Sequence, residues 1–120
     1  MPAKIKLLNA AVSSSTGATT EVGTGMPPIS FRTDGGYTLG AGGAGTNGVI
    51  IEASSDGGTT WGVLMGVVGG QNITDATTAQ LSDLPDKTFA SVPYYPGHKV
   101  RARTGANMVG SATVYMEFPR

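Results

Sequence analysis

The chain has 120 residues, a formal net charge of zero, a pI near 6.5 and no cysteine. This length suits one domain with its own core, the lack of cysteine excludes disulfides and thiolate chemistry, and the balanced charge argues against binding nucleic acid through its phosphates. With 19 glycines and only 13% charged residues, the composition favours short strands and turns, and we predict less than about 10% helix.

The first 25 residues are predicted to lie outside the main domain. Residues 4–12 (KIKLLNAAV) form either a first strand or an extended arm, and residues 13–25 form a polar linker. Ordering each residue costs about 1–2 kcal/mol, so such a segment needs a docking partner. We therefore expect residues 1–25 to serve assembly rather than the core, and their deletion to leave a folded domain. The expected assembly contacts are Lys4, Ile5, Leu7, Leu8 and Val12.

The N-terminus also bears on targeting. Lys4 and Lys6 precede an apolar stretch at residues 7–12, but Asn9 interrupts that stretch and it is shorter than the apolar region of a secretory signal. No stretch approaches the roughly 20 apolar residues of a membrane span. We expect a protein made in the cytoplasm, without a membrane partner.

Residues 26–120 are predicted to form one antiparallel β-sandwich or jelly-roll-like domain. Period-two alternation of apolar and polar residues, separated by glycine-rich turns, indicates half-buried strands. The predicted strands are residues 29–33, 37–39, 49–54, 61–65, 89–95, 100–104 and 112–118. Residues 40–48 are predicted to form a flexible glycine loop. Residues 69–86 fit a long loop or one helical turn equally well.

Three of these strands have a predicted buried face. The alternation places Ile29, Phe31 and Thr33 on one face of the first strand, and Val49, Ile51 and Ala53 on one face of another. In the strand at residues 61–65 it places Trp61, Val63 and Met65 together.

A short motif joins two of these strands. Ser54-x-Asp56-x-Gly58-x-Thr60-Trp61 matches the Asp-box pattern and resembles the structural hairpins of sialidase-type propellers. The motif occurs once, whereas propellers repeat it in each blade, so we reject a sialidase. We interpret Ser54, Asp56, Gly58, Thr60 and Trp61 as a structural hairpin in which Asp56 accepts backbone N–H bonds and Trp61 buries its ring. Truncating a buried Trp61 would cost about 3–5 kcal/mol.

Other motifs do not support a catalytic or cofactor site. The spacing Gly40-x-Gly42-x-x-Gly45 spells a dinucleotide fingerprint, but a strand follows it where a helix would be needed. Asp75, Asp83 and Asp86 could approach one calcium ion, although their spacing matches no EF-hand loop. The only histidine is His98, which follows a turn signal. We predict a protein that is not an enzyme and uses no cofactor.

Three segments resemble a pattern found in small bacteriophage virion proteins: VIIEASSDGGTTWGVL at 49–64, HKVRART at 98–104 and SATVYMEF at 111–118. That class includes capsid decoration (cement) subunits and parts of necks and tails. The resemblance implies assembly rather than chemistry, with the virion as location and the major capsid protein or another virion protein as partner. It also suits a homo-oligomer with repeated subunit contacts. We expect a capsid decoration protein, with a neck or tail protein as the alternative.

A carbohydrate-binding module is the alternative from a different class. Such a module needs exposed aromatics on a sandwich face, and Tyr94, Tyr95 and Trp61 could line a sugar platform. Packing in the core or at its rim is the commoner use of so few aromatics. A change in Trp61 fluorescence on glycan titration would distinguish the two classes.

Overall fold

The computed structural model describes residues 3–17, 20–21, 29–69, 77–92 and 99–118. These residues contain strands, turns and bends but no helix, which confirms the predicted all-β class. The strands are β1 Ala3–Ala11, β2 Thr20–Glu21, β3 Ile29–Asp34, β4 Val49–Ser54, β5 Gly62–Val63, β6 Met65–Gly69, β7 Thr77–Gln80, β8 Phe89–Val92, β9 Lys99–Thr104 and β10 Ala112–Phe118.

The strands form two sheets. The larger sheet has six strands in the order β1-β10-β3-β8-β6-β7, and the smaller has four in the order β2-β9-β4-β5. Every strand pairing is antiparallel. The fold is therefore the predicted antiparallel β-sandwich.

The core lies between the inner faces of the two sheets. In β3, Ile29, Phe31 and Thr33 are buried while Arg32 is exposed, as the alternation predicts. In β9, Val100 and Ala102 belong to the core. Because successive side chains point to opposite faces, the arginines of β9 must lie on the outer face of the smaller sheet.

The N-terminal strand is an integral part of this core. β1 pairs with β10, and Leu7 and Leu8 are only 3% and 4% exposed. Register shifts on either side of Leu8 break the alternation, which lets two consecutive residues face inward. The predicted first strand is present as β1 Ala3–Ala11, so the expectation that residues 1–25 add little to the core is wrong for β1.

The polar stretch after β1 is tied to the smaller sheet. Thr104 N–H donates to Ser15 O at 2.8 Å, Gly17 N–H donates to Ala102 O at 2.8 Å, and the Thr104 hydroxyl donates to Val12 O at 2.6 Å. With β2, residues 14–17 thus follow β9 along its free edge. A stretch without large apolar residues is held here by backbone and hydroxyl hydrogen bonds. The predicted boundary at residue 25 lies outside the described residues.

The predicted strand at residues 61–65 is instead divided between the sheets. β5 belongs to the smaller sheet and β6 to the larger, and the chain crosses between them at Leu64. Leu64 N–H donates to Ile51 O at 3.0 Å and its carbonyl accepts from Leu81 N–H at 2.7 Å. Leu64 is therefore buried while Met65 is 47% exposed. The prediction of one strand over residues 61–65, with Trp61, Val63 and Met65 on a buried face, is therefore wrong.

Three other predicted segments differ in part. Residues 37–39 form a single bridge, between Thr38 and Val109, rather than a strand. For residues 69–86 the sequence predicts a long loop or one helical turn, whereas the structure has the strand β7 at Thr77–Gln80. Of the strand predicted at residues 89–95, residues 89–92 form β8, and residues 93–95 lie outside the described residues.

Candidate functional site

The Asp-box motif forms a closed hairpin between β4 and β5. The Ser54 hydroxyl donates to Asp56 Oδ1 at 2.6 Å and accepts from Gly58 N–H at 2.9 Å. The same Asp56 oxygen accepts the backbone N–H groups of Thr59 and Thr60 at 3.1 and 2.9 Å. Gly57 and Gly58 have φ of 80° and 105°, which glycine adopts without strain. The carboxylate of Asp56 is thus engaged within the turn.

These hydrogen bonds predict an acid-sensitive hairpin. The hydrogen bond from Ser54, followed by those from Thr60 and Thr59, holds the pKa of Asp56 well below its ordinary value of 3.8. A lowered pKa in the folded state stabilises the fold above pH 3.8, and this contribution is lost as the pH falls further towards the folded-state pKa. Between pH 7 and pH 2, the melting temperature should therefore fall more in the wild type than in Asp56→Asn. Equal falls in both proteins would contradict this.

Trp61 lies on the outer face of the smaller sheet rather than in the core. Its indole N–H donates to Gly58 O at 3.0 Å, and the guanidinium of Arg101 stacks 4.1 Å from the ring centroid. Trp61 is partly buried and is not among the core residues. The ring is only partly buried, so truncating Trp61 should cost less than the roughly 3–5 kcal/mol expected for a buried tryptophan.

A buried carboxylate lies beside Trp61. Glu52 Oε1 accepts from Arg101 Nε at 2.9 Å, and Glu52 Oε2 lies 3.0 Å from Arg103 Nε. The side chain of Glu52 is only 8% exposed, against 24% for Arg101 and 32% for Arg103. We name Glu52, Arg101, Arg103 and Trp61 the arginine cluster. No motif in the sequence marks this cluster, although the opposite charges of VIIEAS and VRAR are a usable signal for two neighbouring strands.

A shallow hollow lies next to this cluster. Its volume is about 450 Å³, and it is located where the chain passes from β5 to β6. The lining residues are Ala53, Ser55, Thr60, Trp61, Gly62, Val63, Leu64 and Met65. Its lining combines apolar side chains with polar groups, as ligand and contact sites do.

The outer face of the larger sheet has an apolar patch. Met65, Val67 and Phe89 are 47%, 46% and 40% exposed. Val67 is two residues from Met65 on β6. It is also the diagonal neighbour of Phe89, which lies on the adjacent strand β8. Exposed large side chains that adjoin one another in this way are typical of a contact surface.

The predicted assembly residues have different environments. Leu7 and Leu8 are buried in the core, Ile5 packs against it, and Val12 is 61% exposed. Lys4 lies in β1 opposite Glu117 of β10. Among those of the predicted assembly residues whose side chains are described, Val12 is the most exposed, and its role in assembly stays a prediction.

The glycine loop at residues 40–48 is held in place. The carboxylate of Asp83 accepts backbone N–H bonds from Gly45 at 2.7 Å and Asn47 at 2.9 Å. The Asn47 side chain bonds back to Gly42 and Gly43. Because the loop is closed by these bonds, the interpretation of a flexible loop is wrong. The strand β4 follows the loop directly, at the position where a dinucleotide site would need a helix.

One glycine pair in this loop gives a matched test. A Cβ at Gly40 would overlap the backbone carbonyl of Asn107, whereas a Cβ at Gly43 would meet nothing within 4 Å. Gly40→Ala should lower the free energy of unfolding by about 1–3 kcal/mol, since backbone has to shift. Gly43→Ala should change it by less than about 0.5 kcal/mol. Urea unfolding of both variants measures the difference, and equal values would show that the loop is not held as described.

The calcium interpretation receives no support from the described residues. They contain no group of three or more His, Asp or Glu side chains that could hold a metal ion. Asp83 bonds the glycine loop, and Asp86 has one buried carboxylate oxygen without a hydrogen-bond partner. Asp75 lies outside the described residues. The same holds for His98 and for Tyr94 and Tyr95, which the carbohydrate-binding alternative would use.

Two other titratable contacts are structural. Asp34 pairs with Lys87, which lowers the pKa of the Asp34 carboxyl and raises that of the Lys87 ammonium. Burial raises the pKa of Tyr37, whose hydroxyl donates to Leu84 O at 2.7 Å. Within the described residues, no helix is long and apolar enough to cross a membrane.

The sheets and their hairpin define an antiparallel β-sandwich protein. Among solved structures, the chain is similar to the SPBc2 prophage-derived protein YomS, with a TM-score of 0.73 and 19% identity over 98% of this chain and 94% of that one. At this identity the likeness shows a shared fold. No protein-family model matches the chain. No curated protein matches it either.

Proposed function

We propose that the chain is a non-enzymatic structural protein of a phage particle. The observation that most supports this is the fold, which the chain shares over nearly its whole length with a prophage-derived protein. The resemblance of residues 49–64, 98–104 and 111–118 to small virion proteins supports the same class independently.

The described carboxylates support a structural rather than a catalytic role. A general acid or base needs a carboxyl group free to exchange its proton with a substrate. In this chain, four of the described carboxylates already bind groups of the protein itself. These are Asp34 with Lys87, Glu52 with two arginines, Asp56 within its hairpin, and Asp83 with the glycine loop.

Within this class we propose capsid decoration. One small sandwich domain is large enough to bind at a capsomer junction, and the apolar patch of Met65, Val67 and Phe89 is exposed for contact with a neighbouring virion protein. Repeated contacts between identical subunits would give a homo-oligomer on the particle. The alternative within the class is a neck or tail protein.

Composition of purified particles tests this proposal. Particles are prepared from a strain that carries the gene, separated into heads and tails, and analysed by quantitative mass spectrometry. Decoration requires the chain in the head fraction at a constant ratio to the major capsid protein. Recovery of the chain in the tail fraction would support a tail role instead of decoration. Absence of the chain from all particle fractions would overturn the structural proposal.

A carbohydrate-binding module is the second candidate, and the hollow beside Trp61 is the observation that favours it. A sugar in this hollow would contact the indole ring and quench or shift its fluorescence. Titration with a panel of bacterial glycans therefore separates the two functions, because a particle protein needs no saturable glycan response.

A further inference from the structure

We propose that the arginine cluster is a binding site for carboxylate groups on an acidic protein surface. The site lies on the outer face of the smaller sheet, and Arg101 and Arg103 are the residues that would contact the partner. The inference deepens the proposed function, on which it rests for the partner being a virion protein.

Both arginines are oriented by contacts within the chain. Glu52 is approached by the Nε atoms of Arg101 and Arg103 at 2.9 and 3.0 Å, so each guanidinium is held at its Nε side. The end-on edge that its two Nη groups form is then the one available to a further carboxylate. The Nη groups have four of the five N–H donors of each guanidinium. Stacking on Trp61 at 4.1 Å further restricts Arg101. Donors fixed in this way lose less entropy when a ligand binds.

The charge of the cluster determines its ligand. Two guanidinium groups face one carboxylate, which leaves an excess of one positive charge. Glu52 is nearly buried while both arginines are partly exposed, so the surface presents the positive groups. A planar carboxylate accepts two parallel N–H bonds from one guanidinium, which gives geometric specificity.

Nucleic acid is a poorer match for the site. Binding through phosphates needs many cations along a backbone, whereas this chain has equal numbers of basic and acidic residues. The hollow beside Trp61 would accept a side chain adjacent to the partner's carboxylate, which a protein segment provides.

The binding test uses the full chain and a short polyglutamate peptide as the probe. In NMR titrations, the peptide should shift the Nε–H signals of Arg101 and Arg103 and the indole N–H of Trp61. Arg103→Gln retains the contact between Glu52 and Arg101 and should weaken peptide binding about tenfold or more, because a charge-assisted hydrogen bond is lost. Arg32→Gln is the matched control, since Arg32 also stacks on an aromatic ring and pairs with a glutamate, but on the larger sheet.

The outcomes of this titration are decisive. Absence of shifts at the cluster, equal weakening by Arg32→Gln, or equally tight binding of a single-stranded oligothymidine would each overturn the proposal. Retained amide dispersion in Arg103→Gln shows that the variant is folded, so that a weaker affinity reports on the site. A loss of affinity with rising salt is also expected.

Co-sedimentation with particles that lack the chain separates this inference from the proposed function. If the wild-type chain does not sediment with such particles, the proposed function fails. If the wild type sediments and Arg103→Gln sediments equally well at every salt concentration, the particle role stands and the carboxylate site is wrong. If the wild type sediments and Arg103→Gln sediments less, the result supports both the proposed function and the carboxylate site.

Discussion

Deleting residues 1–12 will leave a chain that does not fold. This deletion removes Leu7 and Leu8 from the core, where they are 3% and 4% exposed, and takes away the strand that pairs with β10. Replacing one buried leucine by alanine typically costs about 2–5 kcal/mol. Two such losses approach the whole stability of a domain, which is about 5–15 kcal/mol.

Single substitutions measure the same effect in a chain that still folds. Leu8→Ala should lower the free energy of unfolding by about 2–5 kcal/mol. Val12→Ala, at a position 61% exposed, should change it by less than about 0.5 kcal/mol. Urea unfolding of both variants, with circular dichroism of the deleted chain, provides the comparison. A cooperative unfolding transition in the deleted chain would show instead that residues 1–12 act outside the domain.

The parts of the fold that sequence predicts are those set by local chemistry. In β3 one face meets the core and the other meets solvent, so the period of two is visible in Ile29, Phe31 and Thr33. The Asp-box hairpin is equally local, because Ser54 and Asp56 bond groups no more than four residues away. Such contacts need no knowledge of the remaining chain.

The parts that sequence misses depend on distant segments. Leu7 and Leu8 both face inward because of a register shift against β10, which is more than a hundred residues away in the chain. In β4, Ile50 and Glu52 are buried on the face that alternation assigns to solvent. The partners of Glu52 are on β9, about 50 residues further along, and the strand order that makes them neighbours is not written in either segment.

The second large effect is expected at Glu52. Its side chain is 8% exposed and lies between Arg101 and Arg103, so removal of its charge leaves two guanidinium groups close together without their common partner. Breaking a buried ion pair from one side costs about 3–5 kcal/mol. Because both arginines are partly exposed, water offsets some of this cost, and we expect Glu52→Gln to lower the free energy of unfolding by about 3 kcal/mol.

Glu117→Gln is the matched control for this prediction. Glu117 pairs with Arg32 at 3.6 Å on the outer face of the larger sheet, where the two side chains are 24% and 46% exposed. An exposed pair of this kind contributes about 0–1 kcal/mol. Urea unfolding at low and high salt should therefore show a large, weakly salt-dependent loss for Glu52→Gln and a small, screened one for Glu117→Gln. Similar losses in the two variants would mean that the arginine cluster is as well solvated as an ordinary surface pair, and its arginines would then not be held in place for a partner.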